Sequence, residues 1–108
     1  MLPNGEVFTG AWCRPQNDGP GLQATALIMA ANSLIAAGES SYVKQYLWTG
    51  NNDYHGGAIK FDLDYVVSGY NSNTCDLWEE IRDPDMFWNR ITMKKAMILG
   101  AAFATQVY

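Results

Sequence analysis

Apolar residues fall into three stretches separated by polar, turn-forming runs. The first, GLQATALIMAANSLIAAG, begins at Gly21 and holds no charged residue. Its Leu27, Ala30, Ala31, Leu34 and Ile35 stand at the spacing of a buried helical stripe. The pattern predicts a helix over 21–37 that stops at Gly38. Asn17-Asp18-Gly19-Pro20 before it is a turn or helix start, with Asp18 as cap and Pro20 in the first turn. ESSYVKQYLW, 39–48, predicts a short helix, and 49–57 a loop. AIKFDLDYVVSGY, 58–70, recovers helical spacing through Ile59, Leu63, Val66 and Val67. After a loop at 71–74, Asp83-Pro84-Asp85 marks the start of a last helix over 86–108. Its AMILGAAFA section, 96–104, is uncharged and is expected to be buried all round.

These elements define an all-α chain of three substantial helices joined by long loops. A helix in a small bundle shows one face to water, and that face is normally polar. Two nearly uncharged helices in 108 residues therefore imply partner helices outside this chain.

Composition narrows the function. Hydrophobic content of 48% and aromatic content of 13% are those of a folded domain. A net charge of −4 disfavours nucleic acid and anionic membrane surfaces, both of which need clustered Lys and Arg. A neutral polar ligand such as a sugar is compatible. Cys13 and Cys75 lack the spacing of a metal or redox pair, and no cofactor or metal is implied. A disulfide between them is one possibility that nothing in the spacing demands. The opening MLPNGEVFTG is not a signal peptide, and no apolar run reaches the length of a membrane span.

The chemistry concentrates in DLWEE, 76–80, three carboxylates and a Trp in five residues. One reading is a capping box, with Asp76 as N-cap and Glu79 reaching back to it. The other is paired carboxylates for glycosidic cleavage. Glu79 and Glu80 would split roles, because neighbours on a helix point roughly 100° apart. One protonates the leaving oxygen while the other holds a sugar hydroxyl. A proton donor must stay protonated, and neighbouring carboxylates with partial burial by Trp78 push its pKa that way. A second candidate lies at 9–20, where Trp12 offers an apolar face to a sugar and Arg14 and Gln16 offer donors. The plain alternative there is a structural loop. His55, alone in its loop, reads as a surface residue, and the methionines read as core filler.

Together these stretches resemble glycoside hydrolase family 15, the fungal glucoamylases. FTGAWCRPQNDGPGLQATA is similar to that family's Thr-Gly-x-Trp-Gly-Arg-Pro-Gln-x-Asp-Gly-Pro-x-Leu-Arg-Ala segment. DLDYV, DLWEE and the later AFAT follow in the family's order. The resemblance spans nearly the whole chain, more loosely at 39–57, and implies that 1–108 is part of a catalytic domain. It implies an (α/α)6 barrel, which would account for the uncharged helices. It also implies inverting release of glucose from non-reducing ends of α-1,4-glucans, with a secreted, monomeric parent enzyme.

By the same resemblance Glu79 is the general acid and Glu80 contacts the sugar. Trp12 lines the site with Arg14 and Trp78, and Leu77 turns its backbone carbonyl to the sugar. An inverting base stands roughly 6.5–9.5 Å from the acid. On a helix, residues three apart have Cβ atoms about 5–6 Å apart, so Asp76 is read as a tuner of the acid, with base as the alternative. The family's base lies beyond this stretch, so the chain reads as an inactive fragment. Cys13 stands in place of a Gly, where it would strain a backbone needing φ > 0. Gln23 stands in place of an Arg, Thr74 in place of a common Gly, and Asp83 in place of Gly or Ser. The competing readings are a non-catalytic α-glucan-binding relative and a helical structural domain.

Overall fold

A computed structural model describes residues 2–10, 13–53, 55–75, 78, 81–83 and 85–107. Three long helices carry the chain: α1 (Asp18–Ala36), α3 (Ala58–Gly69) and α4 (Phe87–Val107). Between the first two lie a single turn, α2 (Ser40–Tyr42), and a π-helical turn, Val43–Leu47. Two short strands, β1 (Thr74–Cys75) and β2 (Arg82–Asp83), pair antiparallel with Thr74 opposite Asp83 and Cys75 opposite Arg82. The all-α class expected from the sequence is the one observed, and the helix starts and stops fall within a few residues of expectation.

Helix α1 ends where Gly38 takes φ 89°, a conformation free of penalty only for glycine. The Gly38 N–H then reaches the carbonyl of Ile35 at 3.0 Å, and the Glu39 N–H that of Leu34 at 2.9 Å. That pair of bonds is the Schellman closure, and it satisfies carbonyls that the helix end would otherwise strand.

The core forms where α1, α3 and α4 meet beneath the π turn. Ile28, Ala31, Val43, Ile59, Phe103 and Val107 are buried together, with Leu27, Leu34, Leu63 and Trp48 packed against them. Trp48 meets Phe103 edge-on at 5.9 Å between ring centres. Burial of an Ile or Phe of this kind contributes roughly 1.5–3 kcal/mol.

The buried stripes differ in detail from those predicted. On α1 the buried line is Gly21, Ala24, Ile28 and Ala31, while Ala30 faces out. On α3 it is Ile59, Asp62 and Val66, while Val67 is exposed. The 96–104 section of α4 is not buried all round: Ala96, Gly100 and Phe103 face inward, but Ile98 is 61% exposed. Met29 on α1 is likewise 62% exposed. Three helices can cover only one face of each other, and the remaining apolar faces stand open in this chain.

Gly21 sits where α1 crosses α4. A Cβ there would lie 3.1 Å from the backbone nitrogen of Met93 and 3.1 Å from the carbonyl of Thr92. Those are backbone atoms of a helix and cannot swing aside. Gly19, two residues earlier, has nothing within 4 Å of such a Cβ. Gly21→Val is therefore expected to destabilise by about 1–3 kcal/mol through overpacking. Gly19→Ala should be neutral or stabilising by up to about 1 kcal/mol. Urea denaturation of the two variants side by side checks the contrast.

Candidate active site

The two motif-bearing stretches, far apart in sequence, are brought together by a knot of buried polar groups. Thr74 lies at its centre. Its hydroxyl oxygen accepts the Asn17 backbone N–H at 2.9 Å and the Asn89 side-chain Nδ2–H at 2.6 Å. Its own proton has the Pro15 carbonyl at 3.3 Å and the Cys75 carbonyl at 3.2 Å as acceptors. The Cys75 N–H donates to the Pro15 carbonyl at 2.7 Å, and Asn89 Nδ2 also donates to the Cys75 carbonyl at 3.0 Å. Asn17, Thr74, Cys75 and Asn89 are all buried.

A covalent bond joins the same two stretches. Cys13 and Cys75 form a disulfide with Cα atoms 5.7 Å apart and 62 positions between them in sequence. Of the alternatives left open by the spacing, the bonded one is observed. In the chain-entropy view, closing a loop of that length stabilises by about 4 kcal/mol. The expectation that Cys13 is a strained substitute for Gly is thereby corrected. Its side chain is committed to a cross-link, so Cys13→Gly is expected to weaken the fold rather than relieve it.

In sequence the acid cluster falls between β1 and β2. Asp76, Leu77, Glu79 and Glu80 lie outside the described residues, as does Trp12, and so do the capping-box and paired-carboxylate geometries expected of them. Trp78 sits in a turn and is 78% exposed, so this chain does not bury its ring. Arg14 is exposed and donates from its guanidinium to the Phe8 carbonyl. Asp18 does not cap α1. It is buried in the first turn and accepts the Trp88 indole N–H at 2.9 Å, which ties the start of α1 to α4.

Arg90 secures the flanks of the acid-bearing connection. It donates to the Tyr70 carbonyl at 2.6 Å, to Asn71 Oδ1 at 3.0 Å and to Asp85 Oδ1 at 2.9 Å, and it stacks 4.5 Å over the Tyr70 ring. Asn89 and Arg90 have no place in the sequence expectations, and Thr74 enters them only as standing in place of a common Gly. Asn89 carried a readable signal, since it stands in register with Met93, Ala96, Gly100 and Phe103 on the buried face of α4. A polar residue on an apolar stripe has to find partners.

Away from these loops, a concavity of about 480 Å³ is lined by Gln23, Gln45, Tyr46, His55, Phe61 and Asp62, among others. His55 is exposed, as a surface residue, where it borders this concavity. The Asp62 carboxyl is buried, its Oδ2 has no hydrogen-bond partner, and desolvation raises its pKa. Among the described residues no group of three or more His, Cys, Asp or Glu is arranged to hold a metal ion. No described helix is long and apolar enough to cross a membrane.

Solved structures place this architecture. The chain superposes on a glucoamylase of Hormoconis resinae with TM-score 0.80 at 35% identity, covering 93% of this chain and 16% of that one. On a glucoamylase from Saccharomycopsis fibuligera the TM-score is 0.75 at 32% identity, over 96% of this chain and 22% of that one. Its class is therefore the all-α fold of the (α/α)6-barrel glycosidases. The profile of glycosyl hydrolases family 15 matches residues 2–108, and the chain belongs to that family. It is 45% identical to Glucoamylase-1 of Schizophyllum commune over 101 residues, which is 94% of this chain and 16% of that protein. It is 42% identical to Glucoamylase 1 of Rhizopus oryzae, again over 94% of this chain and 16% of the relative. The chain thus spans about a sixth of the length of these relatives.

Because burial raises the Asp62 pKa, folding favours its protonated form. That stability is fully present below the unfolded-state pKa of about 3.9 and is lost as pH rises through the folded-state value. Asp62→Asn should raise Tm at pH 7, and its advantage should shrink toward pH 4. Melting curves at the two pH values decide this. An equal shift at both would show that the carboxylate carries no burial penalty.

Proposed function

We propose that this chain is part of the catalytic domain of a secreted glucoamylase that releases glucose from the non-reducing ends of α-1,4-glucans with inversion. The observation that carries the reading is the joining of its two motif-bearing loops by the Thr74 knot and the Cys13–Cys75 disulfide. Residues 57 to 62 positions apart in sequence are thereby held as one surface, as two loops that serve one site would be. The relatives named glucoamylase support the substrate class. The disulfide suits an oxidising, extracellular setting.

In this reading Glu79 protonates the glycosidic oxygen as the bond breaks. Glu80 accepts hydrogen bonds from the sugar, and Asp76 keeps the local field negative so that Glu79 holds its proton near neutral pH. Trp12 and Trp78 present ring faces to the sugar's C–H surface, with Arg14 as a donor and the Leu77 carbonyl as an acceptor. An exposed indole such as Trp78 is available for that stacking. Inversion requires a second carboxylate across the sugar to activate water, and another part of the domain supplies it.

In the full-length enzyme, Glu79→Gln should lower kcat by about 10²–10⁴-fold while the Kd for maltose changes little. Gln keeps the shape and has no acidic proton. Wild-type kcat in that variant would remove Glu79 from the role. Maltose binding without turnover by the wild type would instead leave a glucan-binding relative. The 108-residue chain alone should release no glucose from maltose or soluble starch, because it lacks the base and leaves Met29 and Ile98 uncovered. Glucose release above a Glu79→Gln control would show that its site is complete.

A further inference from the structure

We infer that the Cys13–Cys75 disulfide is a positioning clamp, holding the Trp12 loop in register with the loop that bears Glu79 and Glu80. The inference rests on the glycosidase reading for the roles of those three residues. Its physical basis is where the bond sits relative to the other ties between the loops.

The hydrogen bonds described between the loops reach Pro15 and Asn17 on one side and Thr74 and Cys75 on the other. They secure the part of the opening loop next to α1. The disulfide carries the tie two residues further, to Cys13, the chain neighbour of Trp12. Its other half, Cys75, is the chain neighbour of Asp76.

The two ends are mounted differently. Cys75 is fully buried, pairs with Arg82 across the ribbon, and is held through its N–H by Pro15 and through its carbonyl by Asn89. It is a fixed post. Cys13 is half-buried on a turn-rich stretch whose Arg14 bonds back within its own loop. The disulfide therefore ties Cys13 to the buried knot at its fixed end, Cys75. Cutting it should free the sugar platform while the knot keeps the helices together. Catalytic geometry is sensitive to such release, since a misplacement of about 1 Å can cost about 10²-fold in rate.

The test is made in the full-length enzyme at 25 °C, below the melting of every form compared. Hydrolysis of maltose and its Kd are measured for oxidised wild type, for Cys13→Ser/Cys75→Ser, and for wild type reduced with dithiothreitol and alkylated. Expected is a cooperative melt for the disulfide-free forms, with kcat/KM lowered by at least about tenfold and maltose binding weakened. Reoxidation of reduced, unalkylated wild type should restore both. A disulfide-free form that melts at lower temperature but keeps kcat/KM and Kd overturns the clamp and leaves a fold staple. Failure of both disulfide-free forms to stay folded overturns it in the same way. If oxidised wild type binds maltose without cleaving it, the hydrolase reading fails by itself. The clamp is then judged by whether Kd weakens at least tenfold on reduction. Wild type that neither binds nor cleaves overturns both.

Discussion

One hydroxyl group holds the functional end of this chain together. Thr74 Oγ1 uses both lone pairs and its proton at once, taking N–H groups from Asn17 and Asn89 and facing the Pro15 and Cys75 carbonyls. These partners come from the start of α1, the first strand and the first turns of α4. In a buried site each unmade bond costs about 1–3 kcal/mol, so these groups, apart from Asn89 Oδ1, which has no partner, stabilise as a set. The knot is therefore cooperative: it fixes where α1 begins, where the acid-bearing connection leaves, and where α4 packs. The indole bond from Trp88 to Asp18 and the Arg90 bonds to Tyr70, Asn71 and Asp85 extend the same frame outward.

That frame accounts for how a sharply polar site is mounted on helices with so few charges. Helix α1 is uncharged beyond its first turn, and it buries small residues, Gly21, Ala24 and Ala31, against its neighbours. Small residues allow the helices to approach closely, as Gly21 does against the α4 backbone. Close approach at that end brings the α1 start and α4 within reach of short side chains such as Thr and Asn. A larger residue at Gly21 would separate the helices that Asp18 and Trp88 join. The apolar crossing and the polar knot are two parts of one arrangement.

Periodicity made the helices legible because a helix repeats its signal every turn, and Gly38 marked a stop with its own closing bonds. The buried all-round character of α4 was misread because an uncharged run does not say how many neighbours the chain itself supplies. Ile98 and Met29 stand open for that reason. The family was legible through its two motifs. The mounting of the site was not, because hydrogen bonds between residues 17, 74 and 89 join single polar side chains that repeat nothing and have no fixed spacing. The strand pair was also hidden, since two-residue strands carry no alternation to detect. The disulfide was undecidable for a similar reason: two cysteines 62 apart allow a bond without requiring one.

The same chain places a carboxyl group under the opposite condition at Asp62. There the raised pKa comes from burial, in a concavity whose lining includes the amides of Gln23 and Gln45 and, among the described residues, no Lys or Arg. At 76–80 the proposed raising of the acid comes from like charges next to one another. The two mechanisms behave differently toward the rest of a protein. Desolvation falls away as soon as water or a cation reaches the group, so it reports on packing. Like-charge coupling persists in a site open to substrate and is released when a proton leaves the cluster. Burial can itself poise a general acid, provided that the carboxyl stays within reach of the sugar, so the origin of a raised pKa does not by itself tell a proton donor from a packing residue. The proposal of proton donation from 76–80 rather than from the Asp62 concavity therefore rests on the motif in the sequence, and Asp62 is a group whose raised pKa reports on its packing.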